Sequence, residues 1–211
     1  MVDYSYIHLD ETNLTALTQY HIRSDGTLVG FAWNLSQQEQ LHSIDPATGK
    51  NSVIGIIPQI VSLSVNIFPI DNQNNIIYQD GNKQGDPTDY LFEINPFDAY
   101  SSTIIPDRDF SALEVRSDGA LVGLTWNWGT LQEELRKIEP DSGESTLIGI
   151  VNNMELLSPL VRAFDNQRNR IYQLGYIFND WNTERIFVID AYTAEGYYFT
   201  PDREFDILFA L

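Results

Sequence analysis

The sequence contains no cysteine, only two methionines and three histidines, and few basic residues. Without cysteine the protein can form neither disulfide bonds nor thiolate metal sites, and it has no thiol nucleophile. Twelve Lys and Arg stand against thirty Asp and Glu, so the net charge is −18. A surface of that sign repels phosphate groups, so we expect no binding to nucleic acid or to anionic membranes.

Long apolar runs are also missing. No stretch approaches the roughly 18 apolar residues that a membrane-spanning helix needs. Hydrophobic residues nevertheless make up 43% of the chain and aromatic residues 12%, which is enough for a buried core in a chain of this length. We therefore expect a soluble globular protein, either cytoplasmic or secreted with a signal outside this chain.

A tandem duplication organises the chain. The segment Ile22–Gly30 returns as Val115–Gly123, 93 residues later, and Pro106–Phe110 returns as Pro201–Phe205, 95 residues later. Matches between these two lie at an offset of 94 residues. Because the similarity extends from one end of the chain nearly to the other, it predicts two structurally equivalent halves.

Each half divides again into two similar units. Leu41–Pro46 recurs as Leu91–Pro96 and Leu135–Pro140, and a fourth copy, Ile186–Ala191, has lost the proline. The mean spacing is about 48 residues, which is typical of propeller blades. Within each unit, short runs rich in β-branched and aromatic residues are bounded by Gly, Pro, Asn and Asp, a pattern that indicates β-strands and hairpins.

Four antiparallel strands in each of four units predict an all-β fold, a β-propeller of four blades. We expect a single domain over 1–211. The predicted blades are 14–58, 59–106, 107–152 and 153–201. Segments 3–9 and 205–211 are predicted as additional strands that close the ring or pair with a second chain, so a five-bladed ring and a homodimer stay open as alternatives.

The repeated motif is similar to one known class of proteins. The hairpin Asp-Gly-x-Leu-Val-Gly, followed by Leu-x-x-Ile-Asp-Pro-x-Thr-Gly, resembles the blades of bacterial β-propeller repeat proteins, among them quinoprotein-like and tachylectin-type propellers. The resemblance covers roughly residues 14–205 and implies a propeller fold. Since propellers serve as lectins, scaffolds, lactonases and glycosidases, the resemblance implies no particular activity.

The tryptophans point to one face of such a fold. In a propeller, the loops between the second and third strands of each blade open on the same face as the loops between blades. The predicted loops between second and third strands include residues 80–89 and 175–183. Aromatic planes beside amide and carboxylate groups suit sugars. The predicted ligand-binding residues are Trp33, Trp126, Asn127, Trp128, Asp180, Trp181 and Asn182. For Trp33 and Trp126, which end equivalent strands, packing between blades is the alternative.

Carboxylates form a second, weaker constellation on that face. This group consists of Asp107 and Asp109 and of their counterparts across the duplication, Asp202 and Glu204. Converging carboxylates are typical of Ca²⁺ sites and of glycosidase acid–base pairs, whereas pairing with Arg108 and Arg203 would make them a structural rim. The three histidines share no ligand spacing. We therefore expect no cofactor, with Ca²⁺ as the open alternative.

Together these patterns predict a non-enzymatic binding protein whose first ligand class is glycan. The alternative is a protein-interaction module in which the acidic surface meets a basic protein, with charge accelerating association. The second alternative is a metal-dependent hydrolase that uses the carboxylates at the mouth of the channel.

Overall fold

The computed structural model describes residues 17–58, 60–63, 69–152, 154–177 and 180–200. Side chains within these ranges are described except at 17–19, 61–63, 154–162 and 181–182. The additional strands predicted at 3–9 and 205–211 lie outside the described residues, so their part in closing a ring or in dimer formation stays a prediction.

The described residues form four antiparallel sheets. The first two sheets contain β1 (Leu17–Ile22), β2 (Leu28–Trp33), β3 (Glu39–Ile44), β4 (Asn51–Ile56), β5 (Ile60–Leu63), β6 (Ile70–Asp71), β7 (Ile76–Lys83), β8 (Asp86–Ile94) and β9 (Ser101–Ile104). The other two contain β10 (Ala112–Val115), β11 (Leu121–Asn127), β12 (Gln132–Ile138), β13 (Ser145–Val151), β14 (Met154–Asp165), β15 (Arg170–Ile177), β16 (Asp180–Asp190) and β17 (Gly196–Phe199). Sequential strands are neighbours in every sheet, which makes each a meander.

The second sheet differs from the others only in its first strand. Both β5 and β6 pair with β7, one at each end of it. In the fourth sheet one continuous strand, β14, pairs with β15 along the equivalent length. Since β5 and β6 together take the place of a single strand, every sheet follows the same four-stranded plan. The predicted all-β propeller with four blades of four antiparallel strands is confirmed.

Two sequence-based expectations about local structure have different outcomes. Residues 37–41 and 131–136 look helical by composition, but the repeat predicts strands there, and they contribute to β3 and β12. The predicted loop at 80–89 is wrong, because β7 and β8 continue as a long hairpin that turns at Gln84 and Gly85. The loop predicted at 175–183 is likewise shortened by the extension of β15 and β16.

The blades are grouped into two compact units that meet in the sequence between Thr103 and Ile104, in the last strand of the second blade. Each unit has its own core between its two blades. In the first unit the core includes Val29, Phe31, Leu41, Ile57, Ile77, Phe92 and Ile94. In the second it includes Val122, Leu124, Leu135, Val151, Ile171, Phe187 and Ile189. The duplication in the sequence is therefore also a duplication of buried side chains.

An arginine clasp joins the two blades of each unit. In the first unit, Arg23 binds both carboxylate oxygens of Asp25, at 3.0 and 2.5 Å, and donates to the carbonyl oxygen of Pro96 at 3.1 Å. Its guanidinium also lies 4.1 Å from the centre of the Phe97 ring. The ion pair and the backbone hydrogen bond of Thr27 hold the pKa of Asp25 below its usual range.

The second unit repeats the clasp with different partners. Arg116 binds Asp118 at 3.1 and 2.7 Å, donates to the carbonyl oxygen of Ala191 at 3.2 Å, and stacks 4.1 Å from the ring centre of Tyr192. Both arginine side chains are largely buried, with 13% and 11% exposed. The planar fork of arginine is required, since lysine offers no flat cation for the ring and no paired donors for the carboxylate.

We expect Arg116→Ala to lower the free energy of unfolding by about 2 kcal/mol, because it removes hydrogen bonds from a nearly buried charged donor. Urea denaturation of the full chain measures the loss. Lys137→Ala is the matched control, because its ion pair with Glu139 is exposed at both ends and such pairs contribute about 0–1 kcal/mol. Equal losses in the two variants would contradict a clasp between blades.

Candidate functional site

The hairpin between β11 and β12 presents two tryptophans. Trp126 is half-buried near the end of β11, and Trp128, two residues on, is 81% exposed. Their ring centres are 6.3 Å apart and the ring planes lie at 79° to each other. The edge-to-face contact is a favoured arrangement of aromatic rings. It gives Trp128 a preferred orientation while leaving most of its surface open to solvent.

Asn127 fixes the shape of this hairpin. Its Oδ1 accepts hydrogen bonds from the backbone N–H groups of Gly129 and Thr130, at 2.9 and 3.2 Å. Its Nδ2 donates to Glu134 Oε1 at 2.6 Å, and its carbonyl oxygen accepts from the backbone N–H of Leu131 at 2.8 Å. Asparagine suits the position because its side chain bonds to backbone groups further along a turn.

A charged cluster adjoins the hairpin. Glu134 Oε2 lies 2.7 Å from Arg136 Nη1 and 4.0 Å from Arg108 Nη1. The hydrogen bond from Asn127, followed by that from Arg136, lowers the pKa of Glu134, so this carboxylate stays ionised at neutral pH. Arg136 is further held by Ser145 Oγ at 2.8 Å. The Arg108 side chain is 38% exposed, so it remains available to a ligand.

The first unit carries the same hairpin with a different tip. Asn34 Oδ1 accepts from the backbone N–H groups of Ser36 and Gln38, at 2.9 and 3.0 Å, and Trp33 precedes it as Trp126 precedes Asn127. The next residue is Leu35, 78% exposed, where the second unit has Trp128. The turn of the first unit is one residue shorter, since six positions separate Trp33 from Glu39 and seven separate Trp126 from Glu133. The hairpin at this place in the blade therefore forms in the first unit without an exposed indole.

The other predicted ligand-binding residues lie elsewhere or are only partly described. Trp33 is half-buried against the core of the first unit, which agrees with the packing alternative. Asp180 begins β16 and pairs with Arg185 at 3.2 Å. Trp181 and Asn182 follow on β16, but their side chains are outside the description. Among the side chains that the structure describes, the contacts shown join Trp126, Asn127 and Trp128 of this set.

The carboxylate constellation receives no support from the described residues. The Asp107 backbone N–H donates to the Gly143 carbonyl oxygen, and the Asp109 carbonyl oxygen accepts from Thr125 Oγ1 at 2.7 Å. Asp202 and Glu204 lie outside the described residues. Across the part of the chain that is described, no group of three or more His, Asp or Glu side chains is arranged to hold a metal ion.

Sequence reasoning missed a pair of buried acids. Glu39 and Glu133, equivalent across the duplication, lie directly opposite Trp33 and Trp126 on the neighbouring strands. Glu39 is fully buried, and among the described residues neither of its carboxylate oxygens has a hydrogen-bond partner. Burial raises the pKa of Glu39 to about 7. The available signal was the recurrence of a tryptophan at an offset of 93 and of a glutamate, a few residues later, at an offset of 94.

Glu133 differs from its counterpart by one contact. Burial raises the pKa of Glu133 to about 7 as well, although the hydroxyl of Ser111, 3.4 Å from Glu133 Oε1, opposes the shift. The first unit has Leu17 where the second has Ser111. Both glutamates are therefore poised to take up a proton near neutral pH, but their burial keeps them away from any ligand on the surface.

No described helix is long and apolar enough to cross a membrane. No protein-family model matches the sequence, and no curated protein sequence matches it either.

Solved structures, by contrast, share the fold of the chain. TolB from Acinetobacter baumannii matches with a TM-score of 0.62 at 10% identity, over 90% of this chain and 45% of that one. An oligogalacturonate lyase in complex with manganese matches at 0.59 and 16% identity, over 92% and 55%. A nidogen/laminin complex matches at 0.55 and 10% identity, over 94% and 68%.

The chain spans about half the length of the TolB and lyase chains that it matches. At these identities the likeness establishes the fold alone, and the fold-level resemblance to propeller proteins seen in the sequence is confirmed. The chain is a β-propeller scaffold, and its ligand has to be argued from its own residues.

Proposed function

We propose that the protein is a non-enzymatic glycan-binding propeller that contacts its ligand through the β11–β12 hairpin. The observation that carries the proposal is the 81% exposed indole of Trp128, held at a defined angle on a turn that needs no aromatic residue. An indole offers a flat apolar face for stacking and an N–H donor at its edge, which is why tryptophan is enriched where proteins contact ligands and partners.

The chemistry beside Trp128 suits a sugar. The apolar face of a pyranose ring stacks on an indole, while its hydroxyl groups need hydrogen-bond donors and acceptors at the edge. Arg108 supplies donors, and its link to Glu134 ties it to the same hairpin through Asn127. Because the turn is already held by the hydrogen bonds of Asn127, little ordering of the protein is required when the ligand binds.

The two acids nearest the hairpin support binding rather than hydrolysis. Glu133 is buried, and Glu134 is engaged by Asn127 and Arg136. Glycoside hydrolysis needs two carboxyl groups that face the scissile bond together, one of them protonated. Among similar structures, one is named an oligogalacturonate lyase and another a nidogen/laminin complex, so comparable scaffolds occur with carbohydrate-directed and protein-directed roles.

The test is a glycan array probed with the wild-type protein and with Trp128→Leu, which installs the residue of the first unit. We expect Trp128→Leu to weaken binding at least tenfold, since stacking on the indole is lost, and to leave the thermal midpoint unchanged. Leu35→Ala is the matched control and should bind like wild type. Equal binding by Trp128→Leu would exclude the hairpin as the site, and a blank array for wild type would refute glycan binding.

A second candidate function rests on the net charge of −18. Such a surface attracts basic proteins and accelerates their association, and the effect is screened by salt. If a basic protein is the partner, its capture by the immobilised wild-type chain is expected to fall at least tenfold between 50 and 500 mM NaCl (about 14 to 4 Å in screening length). Capture that does not depend on salt would exclude this function.

A further inference from the structure

The second unit contains a pocket at the outer edge of its two blades. Its volume is about 270 Å³, slightly below the range of pockets for drug-sized ligands. The lining residues are Val151, Asn152, Phe187, Ile189, Gly196, Tyr197 and Tyr198. They come from the end of β13 and from the paired strands β16 and β17. A cavity of this size accommodates a single ring.

The floor of the pocket is apolar and its rim is aromatic. Val151, Phe187 and Ile189 are buried members of the core, whereas Tyr198, opposite Phe187, is 44% exposed. Tyr197 lies opposite Val188, so its side chain points to the other face of the sheet and only its backbone borders the pocket. The Tyr198 ring lies against Phe187, with centres 5.6 Å apart and planes at 49°. The core thus supports the Tyr198 ring from one side and leaves the other side accessible.

The first unit has the same apolar floor at this place but a different rim. The floor is the same in both units, because Ile57, Phe92 and Ile94 stand where the second unit has Val151, Phe187 and Ile189. The rim differs completely. Pro58, Ser102 and Thr103 stand in the first unit where the second has Asn152, Tyr197 and Tyr198. The blade therefore folds without these three side chains.

The rim offers unused hydrogen-bonding groups. Within the described part of the chain, the Asn152 amide and the hydroxyl of Tyr198 have no hydrogen-bond partner. Asn152 is exposed at the end of β13. The Asn152 amide and the Tyr198 phenol supply both donors and acceptors beside an apolar floor, which matches a ring that carries hydroxyl groups on its edge and C–H groups on its face.

The absence of charged groups from the lining restricts the charge of the ligand. The lining contains no carboxylate, amine or guanidinium, and the chain as a whole carries −18. An anionic sugar would find no cation in the pocket and would be repelled by the acidic surface, and a cation would find no carboxylate there. A neutral ligand avoids both penalties.

We propose that this pocket is a second carbohydrate site, separate from the Trp128 hairpin, which binds one neutral pyranose ring against Tyr198. The choice of carbohydrate as the ligand class rests on the proposed function, whereas the place and neutrality of the site rest on the pocket itself. Each chain would then carry two sites of different character, one beside a charged cluster and one without charge.

The experiment is saturation-transfer NMR on the full chain with the methyl pyranosides of glucose, galactose, mannose and xylose, and with methyl glucuronoside as the anionic counterpart. We expect at least one neutral pyranoside to receive saturation on its ring C–H protons, and the glucuronoside to receive at least fivefold less. The double variant Tyr197→Ser, Tyr198→Thr, which installs the residues of the first unit, should abolish the transfer, whereas Trp128→Leu should retain it.

Two further single variants serve as controls for misfolding and for non-specific contact of the sugar with exposed tyrosines. Asn152→Ala removes only an exposed amide and should weaken the transfer, and Tyr100→Ala removes an exposed tyrosine of the first unit (72% exposed) and should not. Transfer that survives the double tyrosine variant but disappears in Trp128→Leu would overturn the pocket and leave the hairpin proposal standing. Absence of transfer from the wild type to every pyranoside would also overturn the pocket proposal, while the glycan array still tests the hairpin.

Discussion

Replacing Glu39 by glutamine is expected to make the protein more stable above pH 7, by about 3 kcal/mol. Burial raises the pKa of Glu39 to about 7 from 4.5 for the accessible group. In the pH range between these values the folded state holds a proton that the unfolded state has released, so the contribution of Glu39 to the stability of the wild type falls as pH rises from 4.5 to 7. Each pKa unit corresponds to about 1.4 kcal/mol.

Urea denaturation at pH 4.5, 6 and 8 measures this effect. The wild type should lose stability across the series relative to Glu39→Gln. Glu133→Gln should flatten the profile to a similar extent, because burial raises the pKa of Glu133 to about 7 as well. Glu144→Gln, at an exposed turn position, is the control. Burial lowers the pKa of His21 to about 4, which makes stability rise with pH over part of the same range, so the readout is the difference in stability between the wild type and Glu39→Gln. A difference that does not grow between pH 4.5 and 8 would refute the burial of an unpaired acid.

Gly143→Ala is expected to cost about 3 kcal/mol, the other large effect. Gly143 has φ of +76°, a backbone conformation that disfavours any Cβ. An added Cβ would in addition overlap the carbonyl oxygen of Ile105 and lie 2.9 Å from Ile104 Cγ2. Backbone strain and overpacking each contribute about 1–2 kcal/mol. The turn cannot shift freely, because the Gly143 carbonyl oxygen accepts from the backbone N–H of Asp107.

Gly26→Ala separates the two contributions. Gly26 has φ of +83°, but a Cβ there would meet no atom within 4 Å. We expect it to lose only the strain component, about 1 kcal/mol, in the same urea titration. If the two alanine variants lose equal stability, the close approach of the β12–β13 turn to Ile105 is not a real constraint.

The blades could be predicted because their determinants are local and repeated. Short β-branched runs, Asp-Gly hairpins and Pro-x-Thr-Gly turns recur in each unit, and four copies outweigh the helical composition of residues such as 131–136. The same reasoning failed at 80–89, where Asp, Gly, Asn and Pro predict a loop. There the side chain of Asn82 bonds to Asp89 Oδ1 at 2.7 Å and to the Thr88 carbonyl oxygen at 3.0 Å, which helps the hairpin to continue.

The candidate sites were predictable only where one hairpin contains the whole geometry. Trp126, Asn127 and Trp128 are consecutive, so their sequence was sufficient to place them together. The pocket at Tyr198 joins β13 to two strands more than 35 residues later in the chain, and Tyr-Tyr-Phe reads as an ordinary strand. The burial of Glu39 likewise depends on the face that its strand turns to the neighbouring blade, which a polar segment does not reveal.

The arginine clasp has a consequence for how the chain is made. Arg23 finds its acceptor 73 residues downstream, and Arg116 finds its own 75 residues downstream. A nascent chain can therefore complete the first clasp once Pro96 and Phe97 have left the ribosome, before the second half has been translated. Hairpins form faster than the chain is synthesised. The first clasp can therefore form before the duplicate motif around Arg116 has emerged from the ribosome to compete for its partners.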